Sequence, residues 1–245
     1  AGLGSSPNSS ELRLWMGKSF QRQGNPGAAV GHFKQAAELD PTNLPALEAW
    51  AMTAGPARVS PDTLLSELAA LAKKHPEAWA PDEVRGNVLT SIKRGDDALI
   101  VLNGLLQRFE KNTRRARWAL MQATIHHQRG EGAEKDLIEA VFKVLEIEAT
   151  SSEAVALLTT NASPPEPFLD KYRRTGEFEK GAEFAARLGE MVGEDEENEE
   201  WTRYKGNCFA VASECWANLG QNDKAEAAIK RAIDVYPRQA NFHNS

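Results

Sequence analysis

The chain has 245 residues, 41% hydrophobic and 26% charged, with a formal net charge of −6 and a pI near 5.5. That balance fits a folded chain and argues against disorder, and a mildly acidic protein gains nothing electrostatically from approaching nucleic-acid phosphates or anionic lipid. No window approaches the roughly 18 uncharged apolar residues that a membrane-spanning helix needs.

The start, Ala1 to Ser10, lacks the basic and apolar regions of a secretory signal and has no initiator Met. The expectation is a processed or excised piece whose compartment is unconstrained, cytoplasmic by default, with residues 1–9 a disordered leader. Beyond it, helical apolar periodicity alternates with short breaks carrying Gly, Pro or Asn, and no strand-like alternation is found. In chain order the predicted helices are 10–23, 26–39, 43–54, 61–75, 82–94, 96–110, 114–129, 133–148, 151–161, 166–175, 177–192, 199–219 and 222–236. Ser10 and Asp96 are the expected N-caps. Gly24, Gly95, Gly130, Gly176 and Gly220 each follow a helix where a left-handed C-cap is wanted. Two interruptions stand out. Pro164, Pro165, Glu166 and Pro167 stiffen one turn, and the acidic run from Glu194 to Glu200 reads as a solvated loop entering a helix N-terminus. Residues 241–245 read as a tail.

Helices of about fourteen residues joined by short turns must fold back as antiparallel hairpins, and the hairpins repeat. Gly17, Phe20, Gly24, Ala29, Phe33, Ala36 and Pro41 are separated by 3, 4, 5, 4, 3 and 5 residues, and so are Ser213, Trp216, Gly220, Ala225, Ile229, Ala232 and Pro237. The size classes also match. Leu169, Tyr172, Gly176, Gly181, Ala185 and Leu188 keep the gaps. Val88, Ser91, Gly95, Ile100 and Gly104 keep them with poorer chemistry. Ala123, His126 and Gly130 do so up to an insertion of one or two residues before Leu137, Val141 and Val144. A degenerate copy with Leu64, Leu68, Leu71 and Pro76 fills 45–78.

This pattern resembles the tetratricopeptide repeat, a unit of 34 residues built as two antiparallel helices. The family's early Trp is missing: Arg13 holds that slot and Trp15 lies two residues later. The resemblance implies an all-α fold, a right-handed α-solenoid of about six helix pairs with degenerate middle copies. The units lie near 10–43, 45–78, 81–114, 116–149, 162–193 and 206–239 of a single domain spanning 10–240.

Chemistry is sparse. No phosphate loop or nucleophile elbow occurs, and Gly130 and Gly132 follow a helix rather than a strand, which removes a dinucleotide meaning. His126 and His127 point about 100° apart on a helix and cannot share one ion. Neither catalysis nor a cofactor or metal is expected. In proteins resembling this one, the first helices form a groove for a partner's peptide segment. The repeat register places Leu14, Lys18 and Arg22 there, then Arg85, Leu89 and Lys93, then Arg117, Leu120, Thr124 and His127, with Arg173 and Arg174 further on. Such a basic groove favours an acidic or carboxylate-bearing segment. Leu14 and Ala49 occupy slots that the family's carboxylate clamp needs polar, so that activity is not expected. The expected function is a scaffold or adaptor binding a protein. A recruiting region cut from a larger enzyme is the alternative, and an RNA-binding helical repeat is less favoured.

Cys208 and Cys215 sit seven residues apart, about 10.5 Å along a helix axis, beyond the roughly 7 Å between Cα atoms that a disulfide spans. Native thiol titration should therefore show slow or absent reaction, and unfolding without reductant should release two free thiols. One thiol or none would refute the helical spacing.

Overall fold

The computed structural model describes residues 9–130, 132–159, 168–194 and 199–237. Among the described residues there are thirteen helices and no strand. They are α1 (Ser10–Arg22), α2 (Pro26–Leu39), α3 (Leu44–Ala54), α4 (Pro61–Lys74), α5 (Ala80–Ser91), α6 (Gly95–Arg108), α7 (Arg115–Arg129), α8 (Glu134–Ile147), α9 (Ser152–Thr159), α10 (Phe168–Thr175), α11 (Phe178–Met191), α12 (Glu199–Asn218) and α13 (Asn222–Val235). The chain divides into two compact units, one ending at Asn112 and the other beginning at Thr113. Residues 1–8 of the expected leader 1–9, the proline run, the middle of the acidic run (195–198) and the tail lie outside the described residues, whereas Ser9 serves as the cap of α1.

The first unit holds α1 to α6. Its helix starts are written in local chemistry. Ser9, Asn25, Asn43 and Ser60 each accept the backbone N–H three residues on, satisfying an orphan donor of the first turn. Ser9, not Ser10, is thus the first cap. Ser10 is already helical, and its hydroxyl donates to the Ala36 carbonyl at 2.8 Å while accepting from Asn43 Nδ2 at 2.8 Å, tying α1 to the end of α2. The core joins Leu14, Phe33, Leu47, Trp50, Leu68 and Val84. Gly17 is indispensable to it, because a Cβ there would lie 2.4 Å from the Phe33 ring. The helices cross so closely that only glycine fits.

Left-handed turns mark the hairpins. Gly24, Gly130, Gly176 and Gly220 take φ of 72°, 69°, 74° and 70°, as expected. Gly95 does not. It opens α6, and the left-handed residue is Lys93, at φ 62°. Gly24, Gly176, Gly220 and Lys93 all stand two residues before their second helix, whereas Gly130 stands four before α8, which locates the insertion. The third hairpin is therefore displaced by two residues from the sequence register. Its slots are Gly86, Leu89, Lys93, Ala98, Leu102 and Leu105, and every one but Lys93 is buried. Ile100, expected to fill an inner apolar slot, is 70% exposed. Asp96 is no N-cap either. Arg94 holds that position without a capping side chain, and its Nε donates to Asp97 at 2.7 Å.

The second unit holds α7 to α13. Hairpins α7/α8, α10/α11 and α12/α13 keep the expected slots: Ala123, Leu137, Val141 and Val144 are buried, as are Gly181, Ala185, Leu188 and Ala232. A Cβ on Gly181 would come within 2.9 Å of Tyr172 Cβ, and one on Gly189 within 2.9 Å of the Phe209 ring. Ser213, in the small slot of α12, donates its hydroxyl to the Ala225 carbonyl of α13 at 2.8 Å. The short α9 packs on α7 and α8, and the next described helix is α10. Cys208 and Cys215 are both buried and free. Burial pushes the Cys208 thiol up to about 12 and also raises that of Cys215, so neither offers thiolate at neutral pH.

The displaced register is testable by two opposite substitutions. Lys93→Gly should stabilise the fold by about 0.5–1 kcal/mol, by removing the cost of a Cβ in left-handed backbone. Gly95→Ala should be neutral or mildly stabilising, since position 95 is helical. Denaturant midpoints measure both. Destabilisation by Gly95→Ala together with no gain from Lys93→Gly would restore the sequence register.

Candidate partner-binding surfaces

In the first unit, α1 offers its expected residues unequally. Leu14 is buried in the core at 9% exposure. Lys18 lies with its ammonium 5.2 Å from the Trp15 ring centroid, a cation–π arrangement. Arg22, in the last turn, is exposed where the helix dipole favours a cation. Neither Lys18 nor Arg22 meets a carboxylate among the described residues. Trp15 is 62% exposed and Met52, which holds the Lys18 slot one repeat later on α3, is 76% exposed.

The α5 set changes meaning with the register. Leu89 is 3% exposed and belongs to the core, so it presents nothing to a partner. Arg85 donates to the buried Asp82 at 2.7 Å, and Arg108 donates to the other oxygen at 2.8 Å and to the Pro76 carbonyl at 2.8 Å. Its guanidinium thus satisfies a buried carboxylate, a structural duty. Lys93 lies in the left-handed turn and not on a helix face. The slots equivalent to Lys18 and Arg22 are filled by Asn87 and Ser91, so no basic column continues along α5.

In the second unit, Arg117 is exposed on the first turn of α7, while Leu120 is half-buried against the core. Thr124 donates to the Leu120 carbonyl of its own helix at 2.9 Å. His127 is half-buried, with Nδ1 lacking a hydrogen bond. Its neighbour His126 is held below the ordinary histidine range by burial and then by Arg129, so it is neutral at pH 7. Arg173 is gripped by Glu214 through Nε at 3.2 Å and through Nη2, and by Asp170 at 3.2 Å. The hydrogen bond to Glu214 is the main cause of its raised pKa. Arg174 is exposed.

Three features escaped sequence reading. The exposed Trp15 and Met52 are the first; the repeat register could have found them, since both fall on the outward side of first helices. The second is a cleft of about 700 Å³ on α8, α10 and α11. Its floor is aromatic, with Phe142 and Tyr172 each 5.9 Å from Phe184. Its rim is held by ion pairs, Arg187 to Glu139 at 2.6 and 3.0 Å and Lys171 to Glu134, with the Tyr172 hydroxyl donating to Glu134 at 2.9 Å. The third is a groove between α9 and the first turns of α12. Both concavities arise from helices distant in sequence, so no local pattern announces them. Among the described residues no cluster of His, Cys, Asp or Glu could hold a metal ion, and no helix is long and apolar enough to cross a membrane.

No family model matches the chain, and no curated protein matches it in sequence. Solved structures of similar architecture include Pseudomonas aeruginosa PilF, 14% identical over 96% of this chain and 95% of that one, with a TM-score of 0.47. PilW, a type IV pilus biogenesis factor, is 11% identical over 96% and 97%, at 0.46. A tetratricopeptide repeat protein from Parabacteroides merdae is 15% identical over 95% and 82%, also at 0.46. These likenesses are too loose to bear on function, and the all-α hairpin architecture stands on the chain's own helix pairs and repeated slots.

Proposed function

We propose that the chain is a protein-interaction scaffold whose first unit takes a partner segment carrying an apolar anchor flanked by acidic residues. The observation that carries this reading is the pairing of exposed apolar side chains with unopposed cations on the first helices. Trp15 and Met52 expose most of their surface, and Lys18 and Arg22 meet no carboxylate among the described residues. An exposed Trp is costly to leave in water and is a common anchor at protein interfaces. The cations add attraction and orientation for an acidic segment. Arg85, Leu89, Lys93 and Arg173 play no part in this version of the site, because packing, turn geometry or ion pairs already account for them.

The test uses the intact chain and an immobilised peptide array graded in acidic and apolar content. Acidic peptides with a large apolar residue should bind best. Lys18→Glu with Arg22→Glu should lower affinity about tenfold or more, mostly through slower association and a weaker salt dependence. Trp15→Ala should lower it by a similar factor through faster dissociation. Lys73→Glu with Lys74→Glu, on the exposed last turn of α4, is the control. Equal loss in the control, or no preference for acidic peptides, would defeat the reading.

A further inference from the structure

The groove of about 450 Å³ between α9 and α12 has a chemistry of its own, within the range of about 300–1,000 Å³ usual for ligand sites. Its lining comes from α9 and from the first turns of α12. Those turns place Trp201 and Tyr204 edge to face, their ring centroids 6.4 Å apart, against Val155 and Ala156 of α9, with Ser152 and Asn207 at the ends. Both rings are half-buried and pack on the core beneath. The two charges on the rim answer each other, Arg203 lying 3.7 Å from Glu200. So the groove selects neither an anion nor a cation.

The hydrogen-bonding groups decide what it fits. The indole N–H of Trp201 and the hydroxyl of Tyr204 have no hydrogen-bond partner among the described residues. Burial raises the Tyr204 phenol well above its ordinary value, so the hydroxyl keeps its proton at any physiological pH. The site thus combines two aromatic faces with two unengaged donors and balanced charge. An α-helix docked here would leave those donors unmatched, because helical carbonyls are already bonded within the helix. A polyproline II segment is the complement. Its carbonyls are free, its prolines carry no N–H that would need an acceptor, and its flat rings stack on aromatic side chains.

We propose that the α9–α12 groove binds a proline-rich segment of a partner protein in polyproline II conformation, with Trp201 and Tyr204 as both stacking platform and donors. This deepens the scaffold reading by giving a second surface a partner class. It is tested without touching Trp15, Lys18 or Arg22, so the two readings fail separately.

The experiment follows the indole N–H resonance of Trp201 in the full ¹⁵N-labelled chain, assigned by its loss in Trp201→Phe, during titration with decaproline. A saturable shift is expected below about 1 mM peptide. Tyr204→Phe keeps the ring and removes one donor, so it should weaken binding about three- to tenfold, the worth of one neutral hydrogen bond, with helical circular dichroism unchanged. A shift produced equally by a proline-free helical peptide, or affinity untouched by Tyr204→Phe, would overturn the proposal, as would the absence of any shift. Binding seen only after Pro164, Pro165 and Pro167 are replaced by serine would assign the groove to this chain's own proline run and overturn the partner reading.

Discussion

Close approach between the two helices of a hairpin is the constraint from which the rest follows. At Gly17 the space a Cβ would occupy is taken by the Phe33 ring, and Phe33 itself has no exposed surface. In three other hairpins the equivalent position holds Gly86, Ala123 or Ser213, all buried. The small residue allows a large one from the opposite helix to fill the gap at interior density, with no void left behind. Ser213 adds a hydrogen bond across the hairpin to Ala225, which satisfies a polar group in a site otherwise too tight for one.

That constraint sorts the remaining side chains. Once the small slots and the apolar side chains opposite them face inward, residues elsewhere on each helix are left for capping, for ion pairs between helices or for solvent. Cations of second helices often end over aromatic faces. Arg187 lies 4.1 Å from the Phe142 ring, Lys224 4.2 Å from Trp216 and Arg231 4.2 Å from Phe209. There the stems cover apolar surface while the charged heads stay at its edge. Arg187 and Arg231 reach Glu139 and Glu190 on neighbouring helices at the same time. Such exposed pairs stabilise modestly; they fix which helix lies beside which. The residues on which the two proposed surfaces rest, Trp15, Lys18, Arg22 and Met52 in one unit and Trp201 and Tyr204 in the other, meet no carboxylate or hydrogen-bond partner among the described residues.

The second unit carries two concave features, the α9–α12 groove on one set of helices and the cleft on α8, α10 and α11 on another. In the cleft much of the polar rim is internally paired, Glu134 with Lys171, Glu139 with Arg187 and Glu177 with Lys180, whereas the aromatic donors of the α9–α12 groove meet no acceptor among the described residues.

By itself the sequence determined the helical class, the hairpin spacing and most of the core. Glycine at 24, 130, 176 and 220 and proline at helix starts act through local sterics, which do not depend on distant parts of the chain, and the small residues at 17, 29 and 36 were legible through the spacing of the repeat. It also determined that the two cysteines cannot pair within α12. The register of the third hairpin was decided only in three dimensions. Gly95 resembles a turn glycine, yet Lys93 takes the left-handed backbone, because that choice buries Leu89, Leu102 and Leu105 together, and this packing outweighs the roughly 1 kcal/mol of local strain. The two-residue displacement moves every side chain of α5 by about 200° around the helix, which turned an expected basic stripe into core and ion pairs. Arg173 shows the same limit, since its partner Glu214 stands 41 residues away. Local patterns carry backbone sterics, whereas which charge is left unopposed depends on neighbours that only folding brings together.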